Sequence, residues 1–304
     1  MIIPCDYDSI FKDRLLLLTG VGRSGTTILG KLLGSMEPAY LVFEPALFKY
    51  ISPMSQGFLG TLFEDYFLPI IQGRGNWNSR DYSSIHNQMS FADIMYRWGE
   101  LLRRSDAMLY IERERPLFIV KSLEYQGYFW ELQKAVPTVR YLEIIRNGFD
   151  VVQSAVERQW FTDEWCNHQM IQRASSDPKC NIPDYVLYSG SVVCHEQRVM
   201  DWPNWTPWTR AACAWRCLVN EKLPSDHCNN QLVYYEDLIK SPITFTNVMA
   251  ELYGLKQTQL TEKFISEIKN HNKTERKKFD INLIEQPERD RFVEQNQKLG
   301  YDTP

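Results

Sequence analysis

Eight residues, Gly20, Val21, Gly22, Arg23, Ser24, Gly25, Thr26 and Thr27, lie between the apolar run Leu15 to Leu18 and an amphipathic stretch. A glycine-bearing turn leading into a helix offers an anion both backbone N–H groups and the positive end of the helix dipole. Gly20 and Gly25 fit the spacing of the nucleotide loop G-x-x-x-x-G-K-[ST], but Thr26 stands where the lysine is required. Without that point charge the loop disfavours a nucleoside triphosphate held for hydrolysis. Arg23 supplies a cation instead, and Ser24, Thr26 and Thr27 supply hydroxyls. The same residues also suit a tight glycine turn capped by Ser24 and Thr26.

A second group follows at Ile145, Arg146, Asn147, Gly148, Phe149, Asp150 and onward to Ser154. An arginine at a strand end can offer a bidentate fork to a phosphate. Ser154 lies eight residues on, and a helix from Phe149 to about Arg158 puts Arg158 one turn further on the same face. Arg146, Ser154 and Arg158 could therefore converge on one dianion. The alternative is an ordinary strand-terminal arginine and a solvated serine. Together the segments read as two separate phosphate cradles, neither suited to a triphosphate.

These groups need a scaffold. Leu15 to Leu18, Tyr40 to Phe43, Leu117 to Val120, Tyr141 to Ile145 and Gln231 to Tyr235 read as strands. Between them, Thr27 to Met36 carries Ile28, Leu29, Leu32, Leu33 and Met36 at helical spacing, and another helix begins after Pro242. Short apolar strands alternating with helices predict an α/β fold with a central parallel sheet and helices on both faces. Residues 1–304 read as one domain. The exception to its rhythm is a polar, proline-bearing, Trp-rich insertion at about 160–208, placed over the sheet's carboxyl edge, where ligands bind in such folds.

Composition narrows the function. The net charge of −4 gives no basic field for nucleic acid or an anionic membrane, and the apolar run near the start is too short to span a bilayer. Asp6, Asp8 and Asp13 precede that run, the wrong pattern for a signal peptide, so the expected location is the cytoplasm. The seven cysteines form no CxxC pair and read as reduced thiols. Zinc on Cys213, Cys217, His195 and His227 is the competing reading. Asn204 and Asn272 begin glycosylation sequons, which mean nothing without secretion.

The segments at 20–45 and 141–158 resemble the 5′-phosphosulfate loop and the 3′-phosphate site of sulfotransferases that use 3′-phosphoadenosine 5′-phosphosulfate (PAPS). With Arg23 in the loop, and with Leu41, Val42, Phe43, Glu44 and Pro45 following, the chain looks most like the carbohydrate and tyrosyl-protein enzymes. The block Tyr234 to Leu238 before Pro242, and the ending Lys298 to Tyr301, also resemble parts of this superfamily. The resemblance implies a P-loop-type three-layer α/β fold, PAPS as donor with the bisphosphate PAP as product, and no required metal. Residue by residue, it places the 5′-phosphosulfate on Arg23, Ser24, Gly25, Thr26 and Thr27. It places the 3′-phosphate on Arg146 and Ser154, with Arg158 and Tyr235 as further contacts and the basic stretch Lys273 to Lys278 as a source of one more.

Sulfonate transfer needs positive charge near the departing phosphate, for which Arg23 and Lys121 are the candidates. It also needs a base for the acceptor's proton. The Lys-x-His pattern of the cytosolic sulfotransferases is absent, since Lys121 is followed by Ser122, Leu123 and Glu124. Glu44 resembles the catalytic glutamate of the tyrosyl-protein enzymes in its separation from Arg23, with Glu124 as understudy. Trp160, Trp165, Trp202, Trp205 and Trp208, interspersed with Asp163, Glu164, Asp177, Asp184, Glu196 and Asp201, suit a lid over a cationic or sugar-like small molecule. They equally suit an irregular lid packed by its own tryptophans. A free-standing enzyme tailoring natural products fits the missing anchor. The rival readings are a P-loop nucleotide kinase, which wants a loop lysine and an acidic Mg²⁺ site, and a nucleotide-binding protein without catalysis.

Overall fold

The computed structural model describes residues 12–44, 82–83, 104–122, 137–168, 172–174, 185–188, 191–220, 229–271 and 279–302. The chain gathers into two compact units. One comprises Met1–Thr19, Gly25–Ile144 and Leu223–Thr274, the other Gly20–Ser24, Ile145–Lys222 and Glu275–Pro304.

The first unit is built on a sheet. Its strands are β1 (Leu15–Thr19), β2 (Ala39–Phe43), β3 (Tyr82–Ser83), β4 (Leu117–Lys121), β5 (Arg140–Ile145) and, last in the chain, the strand Asn230–Tyr234. The order across the sheet is β3, β2, β4, β1, β5 and then that last strand. Five strands form the parallel centre, flanked by helices, while β3 pairs antiparallel with β2 at the edge. All of β1 is buried, which is why it reads as an unbroken apolar run rather than an alternating one. It pairs with β4 through Leu18 and Lys121, and with β5 through Thr19 and Glu143.

One face of the sheet carries the main core. Leu16 and Leu18, two apart and so on the same side of β1, join Leu41, Phe43, Ile119, Leu142 and Ile144. Helix α1 (Thr26–Gly34) adds Leu29, Leu32 and Leu33 at i, i+3 and i+4, each burial contributing about 1.5–3 kcal/mol. Two later helices, Pro242–Tyr253 and Gln259–His271, complete it with Phe245, Met249, Phe264 and Ile268. Helix α2 (Arg104–Glu114) is tied to β2 by Tyr110, whose hydroxyl donates to Ala39 O over 3.2 Å.

The second unit begins its helices with α3 (Gly148–Val156) and α4 (Asp163–His168), and its strands β6 (Gln172–Ala174), β7 (Tyr185–Tyr188) and β8 (Ser191–His195) make an antiparallel sheet. The Trp-rich segment is thus more regular than its polar composition implies. Val186, Val193 and Cys194 are buried there, and the strands are too short for their alternation to show in sequence. Helix α5 (Pro207–Asn220) packs on α3, on β8 and on the C-terminal helix Glu288–Lys298. At the centre Phe292 meets Phe149 and Trp215 edge-on, with centroids 5.1 and 5.3 Å apart. Glu288, buried at the start of the last helix, binds both Arg198 and Arg216, at 2.8 and 2.7 Å. Removing one partner of such a buried cluster costs about 3–5 kcal/mol.

Among the described residues, no helix is long and apolar enough to cross a membrane.

Candidate functional site

The loop after β1 closes on itself through Ser24 N, which donates to Val21 O over 3.0 Å. Arg23 sits there at φ 75°, a backbone region that side chains disfavour, and Gly25 at φ 97° caps the start of α1. Such strain is held in place by its surroundings and clusters at functional positions. Arg23 meets three such surroundings in its own unit. Its Nε donates to Ser154 Oγ at 3.1 Å, its carbonyl accepts from Arg146 Nη1 at 3.0 Å, and its guanidinium stands 5.9 Å from the centroid of Trp160. Arg146 is steadied in turn by Asp150, one helical turn on, at 3.4 Å.

The two cradles expected to be separate therefore share one hydrogen-bond chain, Arg146 to Arg23 to Ser154. Helix α3 presents Ser154 because Asn147 caps it, its Oδ1 accepting from Phe149 N at 2.9 Å. Gly148 allows the last helix to approach, since a Cβ there would meet the amide of Asn296 at 2.8 Å. The expectation for Arg158 needs correcting. Helix α3 ends at Val156, and Gln159 adopts φ 61°, so Arg158 lies exposed in the turn beyond rather than on the helical face of Ser154.

Ser24 is fully buried, and its Oγ has no hydrogen-bond partner among the described residues. A buried hydroxyl left without a partner costs about 1–3 kcal/mol, so it invites a ligand acceptor. Thr26 is buried at the first position of α1 and Thr27 is half-buried beside it.

In the first unit, β2 and β4 run in register with Phe43 opposite Lys121. One residue on, Glu44 N donates to Lys121 O at 2.9 Å, and Lys121 Nζ in turn donates to Glu44 Oε1. The Lys121 side chain is 2 % exposed and that of Glu44 38 %, so the acid is the open member of the pair. Glu44, like Arg23, takes a positive φ, here 40°. Lys121 closes β4 as its final residue instead of following it. Tyr235 opens a helix (Tyr235–Lys240) rather than ending the last strand, and its ring lies against Gly25. A Cβ on Gly25 would come within 2.4 Å of that ring.

Two side chains in these groups carry no sequence signal of a role. Asp150 reads as a helix-start acid, and Trp160 as one tryptophan of several. Lys31 is a third, visible only as a lysine amid the apolar positions of α1. Glu124 and Lys273 to Lys278 lie outside the described residues, as do Asp177 and Asp184.

The tryptophans pack mainly on one another. Trp160 stacks on Trp165 at 5.6 Å and 19°, Trp165 meets Phe161 and Tyr188, and Trp202 and Trp205 are buried in mutual contact. Asp163 holds the buried Arg210 at 2.6 Å. The thiols of the zinc reading are buried. A hydrogen bond with Cys194 pushes Cys213 well above the usual thiol range, and one with Cys213 does the same to Cys217, with burial adding to both. Among the described residues no cluster of His, Cys, Asp and Glu is arranged to hold a metal; His227 lies outside them.

No family model and no curated protein matches the sequence. Among solved structures, the chain is similar to sulfotransferases. The sulfotransferase domain of the olefin synthase of Synechococcus PCC 7002 is 14% identical, with a TM-score of 0.45 and 95% of each chain covered. Sulfotransferase STF9 from Mycobacterium avium is 13% identical, with a TM-score of 0.47 over 95% of this chain and 77% of that one. Mouse sulfotransferase SULT7A1, solved in complex with PAP, is 11% identical, with a TM-score of 0.38 over 96% of this chain and 80% of that one. The fold itself rests on the strand order and register given above.

Proposed function

We propose that this chain is a PAPS-dependent sulfotransferase of the carbohydrate and tyrosyl-protein type. It moves a sulfonate group to a hydroxyl or amine of a small polar acceptor by in-line displacement. The observation that carries this reading is the chain of hydrogen bonds from Arg146 through Arg23 to Ser154. It joins a phosphate-type loop without lysine to a second cationic group, as a donor phosphorylated at two ends requires.

The residues present fit PAPS, since the buried, unpartnered Ser24 Oγ supplies a hydroxyl donor within the loop. Arg23, Ser24, Gly25, Thr26 and Thr27 would hold the phosphosulfate, and Arg146 and Ser154 the 3′-phosphate. Tyr235 and, from the exposed turn beyond α3 rather than from its face, Arg158 are further contacts. When bound, PAPS supplies the sulfonate and leaves as PAP. Glu44 takes the proton from the acceptor's hydroxyl or amine. Lys121 fixes the orientation of that carboxylate, and Lys121 and Arg23 hold positive charge for the oxygen that departs. Charges set in place beforehand need no reorganisation during the reaction. Residues 1–304 act as one domain, with the segment 160–208 as the acceptor lid, working without a metal, in the cytoplasm, on a natural product or carbohydrate that is cationic or sugar-like.

Incubation of the full chain with PAPS and a panel of small polar amines, alcohols and sugars tests this. A product heavier by one sulfonate group, with PAP released, is the expected outcome. Tight ATP–Mg²⁺ binding without any PAPS or PAP binding would instead establish the kinase reading. PAP binding with no acceptor turned over would favour a non-catalytic nucleotide-binding protein.

A further inference from the structure

Phe43 ends β2 and Lys121 ends β4, and the register sets the two side by side, with Leu18 of β1 beside Lys121 on its other flank. Residues in register on parallel strands point to the same face. Leu18 and Phe43 belong to the core that α1 covers, and Lys121 is buried with them. An ammonium so placed has lost its water and costs stability unless the protein replaces it.

The Phe43 ring is part of that replacement. Lys121 Nζ stands 4.7 Å from its centroid, and Lys31 Nζ, from α1, stands 5.5 Å from the same centroid. Both are inside the roughly 6 Å within which the negative face of an aromatic ring attracts a cation. Along β1, β4 and β5 the same core is aliphatic, with Leu16, Leu18, Ile119, Leu142 and Ile144. An aliphatic side chain at position 43 would bury apolar surface equally well but would offer no such face.

Glu44 comes next. In a continuing strand its side chain would point away from the face that Phe43 occupies. Its φ of 40° breaks that alternation, and its Oε1 accepts from Lys121 Nζ. The ammonium thus meets both the ring of residue 43 and the carboxylate of residue 44. We infer that Phe43 is the positioning residue of this pair: its ring face holds the Lys121 ammonium where it orients the Glu44 carboxylate. That the pair serves sulfonate transfer rests on the function proposed above; the hold of the ring on the pair does not.

The test uses the full chain as wild type, as Phe43→Leu, and as a series in which one, two and three fluorines replace hydrogens of the Phe43 ring. Fluorine drains the negative face and leaves the shape and apolarity of the ring nearly unchanged, so it separates electrostatics from packing. A water-soluble carbodiimide labels the protonated carboxyl of Glu44, the open member of the pair, and mass spectrometry of the peptide carrying it gives the pH of half-labelling. An ammonium held against a carboxyl favours its ionised form. The expected result is a midpoint that rises with each fluorine, by about half a pH unit at three, and that no longer responds to fluorine in a Lys121→Met background.

Equal midpoints in wild type and the three-fluorine protein overturn the inference. So does a fluorine effect that persists in Lys121→Met, since the ring would then act other than through that ammonium. A shift in Phe43→Leu with none across the fluorine series assigns Phe43 to packing and overturns it too; if Phe43→Leu does not fold, the fluorine series decides alone. Calorimetry of the wild type with PAP keeps this inference apart from the functional reading. Fluorine-dependent midpoints with no PAP binding and no sulfonate transfer would sink the donor reading and leave the hold of Phe43 on the pair standing. PAP binding with midpoints indifferent to fluorine would do the reverse.

Discussion

Arg23 Nε donates a 3.1 Å hydrogen bond to Ser154 Oγ across 131 residues of sequence. The arginine of the glycine loop and the serine of the helix after β5 therefore belong to one cluster, to which Arg146 contributes through the Arg23 carbonyl. This arrangement links the two segments proposed to hold the donor's phosphates.

Arg23→Ala and Ser154→Ala should for that reason be non-additive. Each single change is expected to weaken PAP binding, and the pair together by less than the sum, with a coupling of about 0.5–3 kcal/mol. Calorimetry on the two single variants and the double variant measures it. Strict additivity would show that the hydrogen bond does not couple the segments. Arg146→Ala should lose affinity about 10–100-fold, the size of a charge-assisted contact, and Lys there should recover only part because it lacks the planar fork.

Glu44→Gln keeps an oxygen for Lys121 while removing the basic carboxylate. PAP affinity should stay close to wild type and turnover should fall about 10²–10⁴-fold. Near-normal turnover would take Glu44 out of the chemistry. Near-normal turnover in Glu44→Gln together with loss in a Glu124 variant would transfer the role.

Gly25→Ala should destabilise the first unit for two separable reasons. The φ of 97° costs a side chain about 1–2 kcal/mol. The approach of the Tyr235 ring to 2.4 Å from the new Cβ adds overpacking of about 1–3 kcal/mol. In a Tyr235→Ala background the second contribution should vanish and the first remain. Denaturant unfolding of the four proteins tests this, and an unchanged penalty in that background would mean the ring can move aside freely.

Stability should fall on the alkaline side. The Cys213 thiol is raised above its ordinary value of 9.0 by a hydrogen bond with Cys194 and by burial, the Cys217 thiol by a hydrogen bond with Cys213 and by burial, and burial raises Tyr253 above 10.0. Below pH 9 these groups hold their protons in both states. Above it the unfolded chain releases them first, so the folded state binds more protons and stability decreases as pH rises. Unfolding midpoints between neutral pH and about pH 10 should show the decline. Cys217→Ala should make it shallower, and an identical slope would exclude that thiol as a contributor.

Much of the scaffold was legible in the sequence. The strands β1, β2, β4 and β5 and the helix α1 appear where apolar runs and helical spacing predict them, within one or two residues. The loop at Gly20 to Thr27 falls between strand and helix as expected. The helix end before Arg158 was not legible, because Glu157 and Arg158 form helix readily and no glycine or proline stops the helix; the left-handed turn at Gln159 does. Nor could composition tell a ligand-facing tryptophan from one that packs on its neighbour, as Trp160 does on Trp165.

The sequence alone determined which apolar runs are buried, which of the main sheet's elements form and where an anion could meet a helix start. Those properties depend on local periodicity and backbone chemistry. Only the tertiary structure decided that Arg23 meets Ser154, that Lys121 pairs with Glu44 77 residues away, and that Lys31 shares the Phe43 ring. Such meetings depend on strand order. β1 stands between β4 and β5, and β2 lies beside β4. Nothing in a local pattern encodes which strands become neighbours, because that is settled by how all the apolar faces are buried at once.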